Sequence, residues 1–415
     1  MSNPDTKLNL GKALATLLCL GIVISNFFAM SRWSEDRNVY DDACYLRQAH
    51  LFQRFGLDGL NTTLARDDDG YMVGKLRKFP NWDQLSKSAD TPCHTLIPAS
   101  NKQVLQYPPG TGLVLALFPA GHQVVPLYGA CTILVFGLAV LAIWLARLRR
   151  ELAIAAIFGC VALYMMVNPT KASYSMAPTM VVCAAAAWLT ARLFAASKAF
   201  SSEVDTGWRK ENASKQDGAR HSLLLTMAIG LLIGLSVNFR LPNLFLSAGY
   251  CLYFLIAFLM RRSRQSFLQG LGFGVALLIG MVPTLVANAI NAGSPFSTTY
   301  GGPDTVAPAL DFAVLRSYLV DLQFPLLLIA IGWTALAWWR GRIEIAVVVS
   351  ANLAVNIIFF LTHPLFTPYY TIPVAALSLW TLLFGTLRAR GRGQRSNETA
   401  RCIDCATISA DRSSR

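Results

Sequence analysis

The stretch LGKALATLLCLGIVISNFFAM, residues 10–30, decides the class of fold. One charge, Lys12, interrupts an otherwise apolar run, and a helix of this length rises about 30 Å, the hydrocarbon thickness of a bilayer. The run exceeds the roughly 7 to 15 residues of a signal-peptide core, and no small-residue cleavage site follows it, so it reads as an uncleaved first transmembrane helix. Runs of the same kind recur as far as residue 387. Set against their basic flanks, they predict helices at 10–30, 126–146, 152–168, 176–196, 222–238, 243–260, 267–290, 322–339, 343–361 and 369–387. Composition agrees: 54% of the 415 residues are hydrophobic and 14% charged, with mean hydropathy +0.44, whereas soluble domains carry roughly 25% charged residues. An ordinary soluble fold is excluded. The expected architecture is an all-α polytopic membrane protein with residues 1–387 as one continuous membrane domain.

The net charge of +13 sits largely in short clusters just after apolar runs, which makes it an orientation signal rather than a nucleic-acid surface. Arg147, Arg149 and Arg150, then Lys198 to Arg220, then Arg261, Arg262 and Arg264, then Arg340 and Arg342, then Arg388 to Arg395 mark every second boundary as cytoplasmic. About ten spans follow, with both termini inside and three loops outside: 31–106, 291–321 and a short one at 362–368. The first outer loop begins with the amphipathic stretch Ala43–Phe55, expected to lie along the membrane surface. The proline-broken segment Tyr107–Pro119 is too short to span and should be re-entrant or interfacial. Residues 388–415 and 201–218 are polar without apolar periodicity and should be mobile cytoplasmic segments, the former a disordered tail. There is no Walker-type phosphate loop and no internal repeat, which argues against an ATP-driven pump. Of the nine cysteines, Cys19, Cys44, Cys131, Cys160, Cys183 and Cys251 lie in or near helices as small hydrophobes, and Cys402 with Cys405 forms a lone CxxC without a second zinc knuckle. Cys44 and Cys93 share the outer loop, where either a disulfide or free thiols would be compatible with the sequence.

Five segments bear chemistry. Asp41 and Asp42 stand where the chain returns to the membrane after the first span; they serve either to cap a helix start or as a general base on a hydroxyl. Arg240, in Asn238-Phe239-Arg240-Leu241-Pro242, lies at the outer boundary between two apolar runs with no acid nearby in sequence. Such an arginine either snorkels to headgroups or binds an anion, and its fork suits a phosphate. Tyr107-Pro108-Pro109-Gly110-Thr111-Gly112 joins a stiff diproline to two glycines, which permits close approach of backbone to a ligand, a plain loop being the alternative. Residues 288–301 and Thr367-Pro368-Tyr369-Tyr370 bring turn residues and aromatics that also suit interface anchors.

In this order the motifs resemble the GT-C glycosyltransferases that use polyprenyl-phosphate sugars, the superfamily of protein O-mannosyltransferases and lipid A aminoarabinose transferases. Asp41-Asp42-Ala43-Cys44-Tyr45 is similar to the acidic pattern of the first outer loop, and Tyr107–Thr111 to the Pro-Pro segment that follows it. Gly234–Arg240 is similar to the Gly-Leu-x-x-x-x-Arg helix end, Gly293–Phe296 to the Gly-Ser-Pro turn, and Tyr369–Pro373 to the Tyr-x-x-Pro start of a late helix. Asp42 stands where Glu is usual, Pro368-Tyr369 where an Arg-Tyr pair is common, and no soluble C-terminal domain is appended. The resemblance implies a GT-C-like bundle in a bacterial plasma membrane that moves a sugar from a polyprenyl-phosphate donor to a hydroxyl of a lipid, glycan or protein, by inverting single displacement on the outer face. It makes Asp41 the general base, Asp42 an acceptor-orienting or metal-binding acid for a divalent ion, and Arg240, with Lys102 and Lys171, the donor-phosphate cations. Tyr45, Tyr107, Pro108, Pro109, Tyr300 and Tyr369 would line the groove. The competing classes are a flippase or transporter of lipid-linked sugars, which repeats and mid-membrane charges would favour, and an oligosaccharide polymerase or ligase, which would use diphosphate donors.

Overall fold

The computed structural model describes residues 4–33, 40–78, 91–166, 173–201, 208–300, 307–321, 324–363 and 366–388. Lys171 and the expected tail from residue 389 onward, with Cys402 and Cys405, lie outside the described residues. The chain is mostly helical: α1 (Pro4–Met30), α2 (Tyr40–Phe55), α3 (Tyr71–Leu76), α4 (Gly110–Ala116), α5 (Val124–Leu145), α6 (Arg149–Met165), α7 (Met176–Ser201), α8 (Trp208–Val237), α9 (Ala248–Arg261), α10 (Arg264–Ala292), α11 (Phe312–Val320), α12 (Phe324–Trp339), α13 (Ile343–Thr362) and α14 (Thr371–Arg388). Residues 208–218, expected to be mobile, are instead the first turns of α8; their Lys, Glu, Gln and Ala are good helix formers that need no apolar face.

Helix falls on each of the ten segments expected from the sequence. Among the described residues, eight helical segments are long and apolar enough to cross a bilayer: Thr6–Met30, Val124–Leu145, Met176–Ala195, Gly218–Val237, Leu241–Arg261, Arg264–Ala292, Ile343–Thr362 and Thr371–Arg388. A ninth is reached only by joining α11 to α12, which meet at 84°. The remaining segment, α6, has 17 residues and begins with Arg149, Arg150 and Glu151, so less of it is apolar than the run at 152–168 suggested. Leu14, Leu17, Ile24, Ile133, Ile157, Leu255, Ile279 and Ile329 are exposed on the outside of the bundle, where only a lipid solvent accommodates so much apolar surface. Inside, α8 and α10 approach until their backbones touch: a Cβ on Gly234 would collide with the Leu277 carbonyl, and one on Gly230 with that of Phe273. Small residues at a helix contact allow such packing where no hydrophobic force drives association.

The loops gather at one end of the bundle. Asn291, in the last turn of α10, accepts from the Thr62 amide at 2.9 Å and donates to the Leu60 carbonyl at 2.8 Å; the Thr299 hydroxyl reaches the Gln106 carbonyl at 3.0 Å; Ala309 N–H donates to the Thr362 carbonyl at 2.8 Å. At the other end Lys12 binds the Trp144 carbonyl and Arg342 the Thr386 hydroxyl.

Within 31–106 the structure departs from an all-α reading. A two-stranded antiparallel hairpin, β1 (His94–Ile97) and β2 (Lys102–Leu105), pairs His94 with Leu105 and Ile97 with Lys102. α2 forms where expected but does not lie on a surface: residues 42–49 are all buried. Its polar face is covered because the loop wraps it. Arg47, 0% exposed, donates to the carbonyls of Thr62 and Thr63 at 3.1 Å each and to His94 Nε2 at 3.0 Å, while a Cys44–Cys93 disulfide ties the helix to the hairpin. His94 accepts there only as neutral imidazole with its proton on Nδ1, facing the Pro92 carbonyl at 2.9 Å. Burial, reinforced by the Arg47 charge, pushes its pKa down to about 4.

Candidate functional site

The first turn of α2 carries Asp41 and Asp42, adjacent residues that point about 100° apart on a helix. Asp41, half-buried, faces the meeting point of three loops. The Tyr107 hydroxyl donates to its Oδ1 at 2.7 Å and the Tyr369 hydroxyl to its Oδ2 at 2.8 Å. Tyr107 follows β2; Tyr369 belongs to the 3-10 turn Pro368–Tyr370 ahead of α14. Tyr45, one turn along α2, packs against Tyr107 with ring centroids 5.2 Å apart, and Tyr300 closes the other edge of Tyr107 at 6.0 Å. Burial first, then the Asp41 carboxylate, drives the Tyr107 phenol well above its ordinary pKa; burial likewise raises Tyr45, Tyr300 and Tyr369. All four therefore stay protonated.

Arg240 sits where α8 gives way to the 3-10 turn Leu241–Ser247, its backbone extended at φ −152°, ψ 129° and Pro242 fixing the next turn. Its side chain is buried at 6% exposure, with the guanidinium carbon 4.4 Å from the Tyr369 ring centroid and 4.9 Å from that of Tyr370. Among the described residues it forms no ion pair, and its Nη1 has no hydrogen-bond partner. Stacking on two rings recovers about 2 kcal/mol of the cost of burying a cation, but a buried donor left open still costs about 1–3 kcal/mol, more when charged. An anionic oxygen placed there would remove that cost. Asp41 and Arg240 are thus one tyrosine ring apart, Tyr369 giving its hydroxyl to the carboxylate and its face to the cation.

The diproline segment is built into the same corner. Pro108 and Pro109 are buried, Gly110 N–H donates to the Asn238 carbonyl at 2.7 Å, and the Gln48 amide reaches the Tyr107 carbonyl at 3.4 Å. A Cβ on Gly110 would stand 2.6 Å from the Asn238 oxygen and one on Gly112 2.6 Å from Gln48, so both glycines are required by close approach.

Two further expected site residues, Asp42 and Lys102, are not brought here. Asp42, 1% exposed, turns into the bundle and accepts from the Tyr174 amide at 2.9 Å, fastening α2 to the segment before α7. An acceptor-orienting role does not fit this placement. Nor does a divalent ion: the two carboxylates diverge, and no three His, Cys, Asp or Glu side chains converge among the described residues. Lys102 is exposed on β2, paired with Ile97 at the far end of the hairpin from Tyr107, which leaves it no phosphate role beside Arg240. Two residues that matter here did not stand out in the sequence. Tyr370 reads as a second interface aromatic, and Asn238 as a turn residue. The signal for Asn238 was an amide at the buried end of an apolar run, two positions from a boundary arginine. Compared with protein-family profiles, curated proteins and solved structures, the chain matches none of them.

Proposed function

We propose that the protein is a membrane glycosyltransferase of GT-C type, moving a sugar from a polyprenyl-phosphate donor to a hydroxyl acceptor. In this reading the chain crosses a bacterial plasma membrane ten times with both termini cytoplasmic, and the loop end is extracytoplasmic. The Cys44–Cys93 disulfide supports that side, since such bonds persist in oxidising compartments. One observation carries the functional reading: a buried arginine with an open Nη1 lies one tyrosine ring from a carboxylate that retains acceptor capacity.

Asp41 would take the proton of the acceptor hydroxyl as its oxygen forms a bond to the anomeric carbon. The bond from that carbon to the phosphate oxygen breaks on the opposite face, its electron pair leaves with the lipid phosphate, and the configuration inverts. Arg240 would hold the phosphate and stabilise the charge that grows on it. A carboxylate offers about four lone-pair positions, of which Tyr107 and Tyr369 use two, so the acceptor need not displace either. Asp41 and Arg240 both lie at the loop end of the bundle, which favours surface chemistry over transport.

The test uses purified protein in nanodiscs with monophosphate-linked and diphosphate-linked polyprenyl sugars, read by glycolipid mass spectrometry. Transfer from the monophosphate donor alone is expected, and Asp41→Asn should reduce it at least about 100-fold with insertion unchanged. Full transfer by that variant removes the base; use of diphosphate donors makes the protein a polymerase or ligase.

A further inference from the structure

Asn238 lies two residues before Arg240, buried at 3% exposure where three segments meet. Across from it Pro283 interrupts α10. A proline inside a helix bends it and spoils the ladder of hydrogen bonds around it. The Asn238 side chain occupies that break. Its Oδ1 accepts from the Thr284 amide at 2.9 Å and the Thr284 hydroxyl at 2.7 Å, and its Nδ2 donates to the Gly280 carbonyl at 2.7 Å. Gly280 and Thr284 are the i and i+4 partners that an uninterrupted helix joins directly. The side-chain amide of the residue just past α8 is thus inserted as a rung of α10. At the same residue the main-chain carbonyl, left over at the end of α8, accepts Gly110 N–H at 2.7 Å and holds the diproline turn. Arg240 follows two residues on, and Tyr107, the Asp41 partner, precedes Pro108 on the held turn.

We infer that Asn238 is a positioning residue, which keys α8 to the α10 break and thereby sets the Arg240 guanidinium in register with the Tyr107–Asp41 pair. The inference rests on the reading of Arg240 as an anion site. An amide is suited to the task because it donates and accepts without charge; Asp of the same shape loses the donor, and Leu loses both.

The test uses the full-length chain in nanodiscs with undecaprenyl monophosphate as the probe, measuring probe affinity and the ligand-free melting midpoint together. Two variants are compared with the native chain. N238Q keeps both hydrogen-bonding groups on a side chain one methylene longer. N238A combined with P283A removes the rung but lets Thr284 bond to Gly280 directly, which restores the helix without the key to α8. Both are expected to melt close to the native midpoint and to bind the probe at least tenfold more weakly. Native affinity in either folded variant overturns the inference, because a merely structural asparagine would be rescued by the repaired helix. If the double variant fails to fold, N238Q decides alone. The control R240Q separates the two readings: should it bind the probe as tightly as the native chain, the anion site itself fails, whatever Asn238 does.

Discussion

Removing the Cys44–Cys93 disulfide should loosen the candidate site without loosening the bundle. Cys44 lies one turn past Asp41 on α2, and the Cys93 carbonyl accepts the Gln106 amide at 3.0 Å. Tyr107, the next residue, donates to Asp41 at 2.7 Å, so helix, disulfide, hairpin and tyrosine form a closed ring of constraints. A tether across 49 residues restricts the unfolded loop by about 4 kcal/mol at 25 °C in the chain-entropy picture. The Tyr107–Asp41 bond, charge-assisted, contributes about 1.5–3 kcal/mol and does not compensate for the loss. Since each 1.4 kcal/mol is tenfold, the Leu105 and Gln106 amides of the Cys44→Ala/Cys93→Ala chain should exchange hydrogen up to about a thousandfold faster if they open with the loop. Amides of α8 and α10, which the ring does not include, should keep their native protection. Hydrogen exchange read by mass spectrometry over residues 94–107 decides the matter. Unchanged protection there, in a variant lacking both sulfurs, would show that Arg47 and the hairpin hold the loop unaided, and the ring would have no energetic meaning.

Acid should weaken the same loop through His94. Its folded pKa of about 4 lies below the ordinary 6.5, so the neutral form is the native one: the stabilisation is complete above pH 6.5 and is lost as pH falls from 6.5 towards 4, by at most about 3 kcal/mol. Exchange of the hairpin amides at pH 7, 5.5 and 4 measures it, and a native profile no steeper than that of His94→Gln would refute it. Gly110→Ala should cost about 1–3 kcal/mol, because its Cβ meets main chain and has no flexible neighbour to displace; a melting midpoint equal to the native one would mean the turn can retreat from Asn238. Tyr369→Phe keeps the ring over Arg240 and loses the bond to Asp41, whereas Tyr369→Leu loses both. Undecaprenyl monophosphate should therefore bind Tyr369→Phe nearly as tightly as the native chain and Tyr369→Leu more weakly, and equal losses would deny the stacking a part.

The spans were legible because a 20-residue apolar run has few other uses, and Asp41 and Arg240 because a charge beside such a run is conspicuous. What covers an element is a different matter. The period of Ala43–Phe55 announces a helix, yet nothing in it says that Arg47 and Gln48 will be buried by a loop whose partners lie 15 to 59 residues away. The hairpin is silent in the sequence because four-residue strands carry too little alternation to register, and its place is held by Cys44 and Thr62, outside the strands. Asp42 shares the motif of Asp41 only by adjacency, which on a helix separates two side chains. Asn238 carries little local signal because its partner, the Pro283 break, lies more than forty residues on, and only the fold pairs them.

A half-buried carboxylate and a buried guanidinium so near each other would ordinarily pair directly, since a charge withdrawn from water is costly without a partner. A direct pair would fill Nη1 and the acceptor positions of Asp41, and opening it for a ligand would cost about 3–5 kcal/mol. Tyr369 prevents this by giving each charge a partial partner: a hydroxyl to the acid at 2.8 Å and a ring face to the cation at 4.4 Å. Neither group is saturated, so a ligand with a hydroxyl at one end and an anionic oxygen at the other gains both interactions without first breaking an ion pair. The tyrosine between the charges is therefore as much a part of the proposed chemistry as the charges, because it keeps them apart while leaving both open.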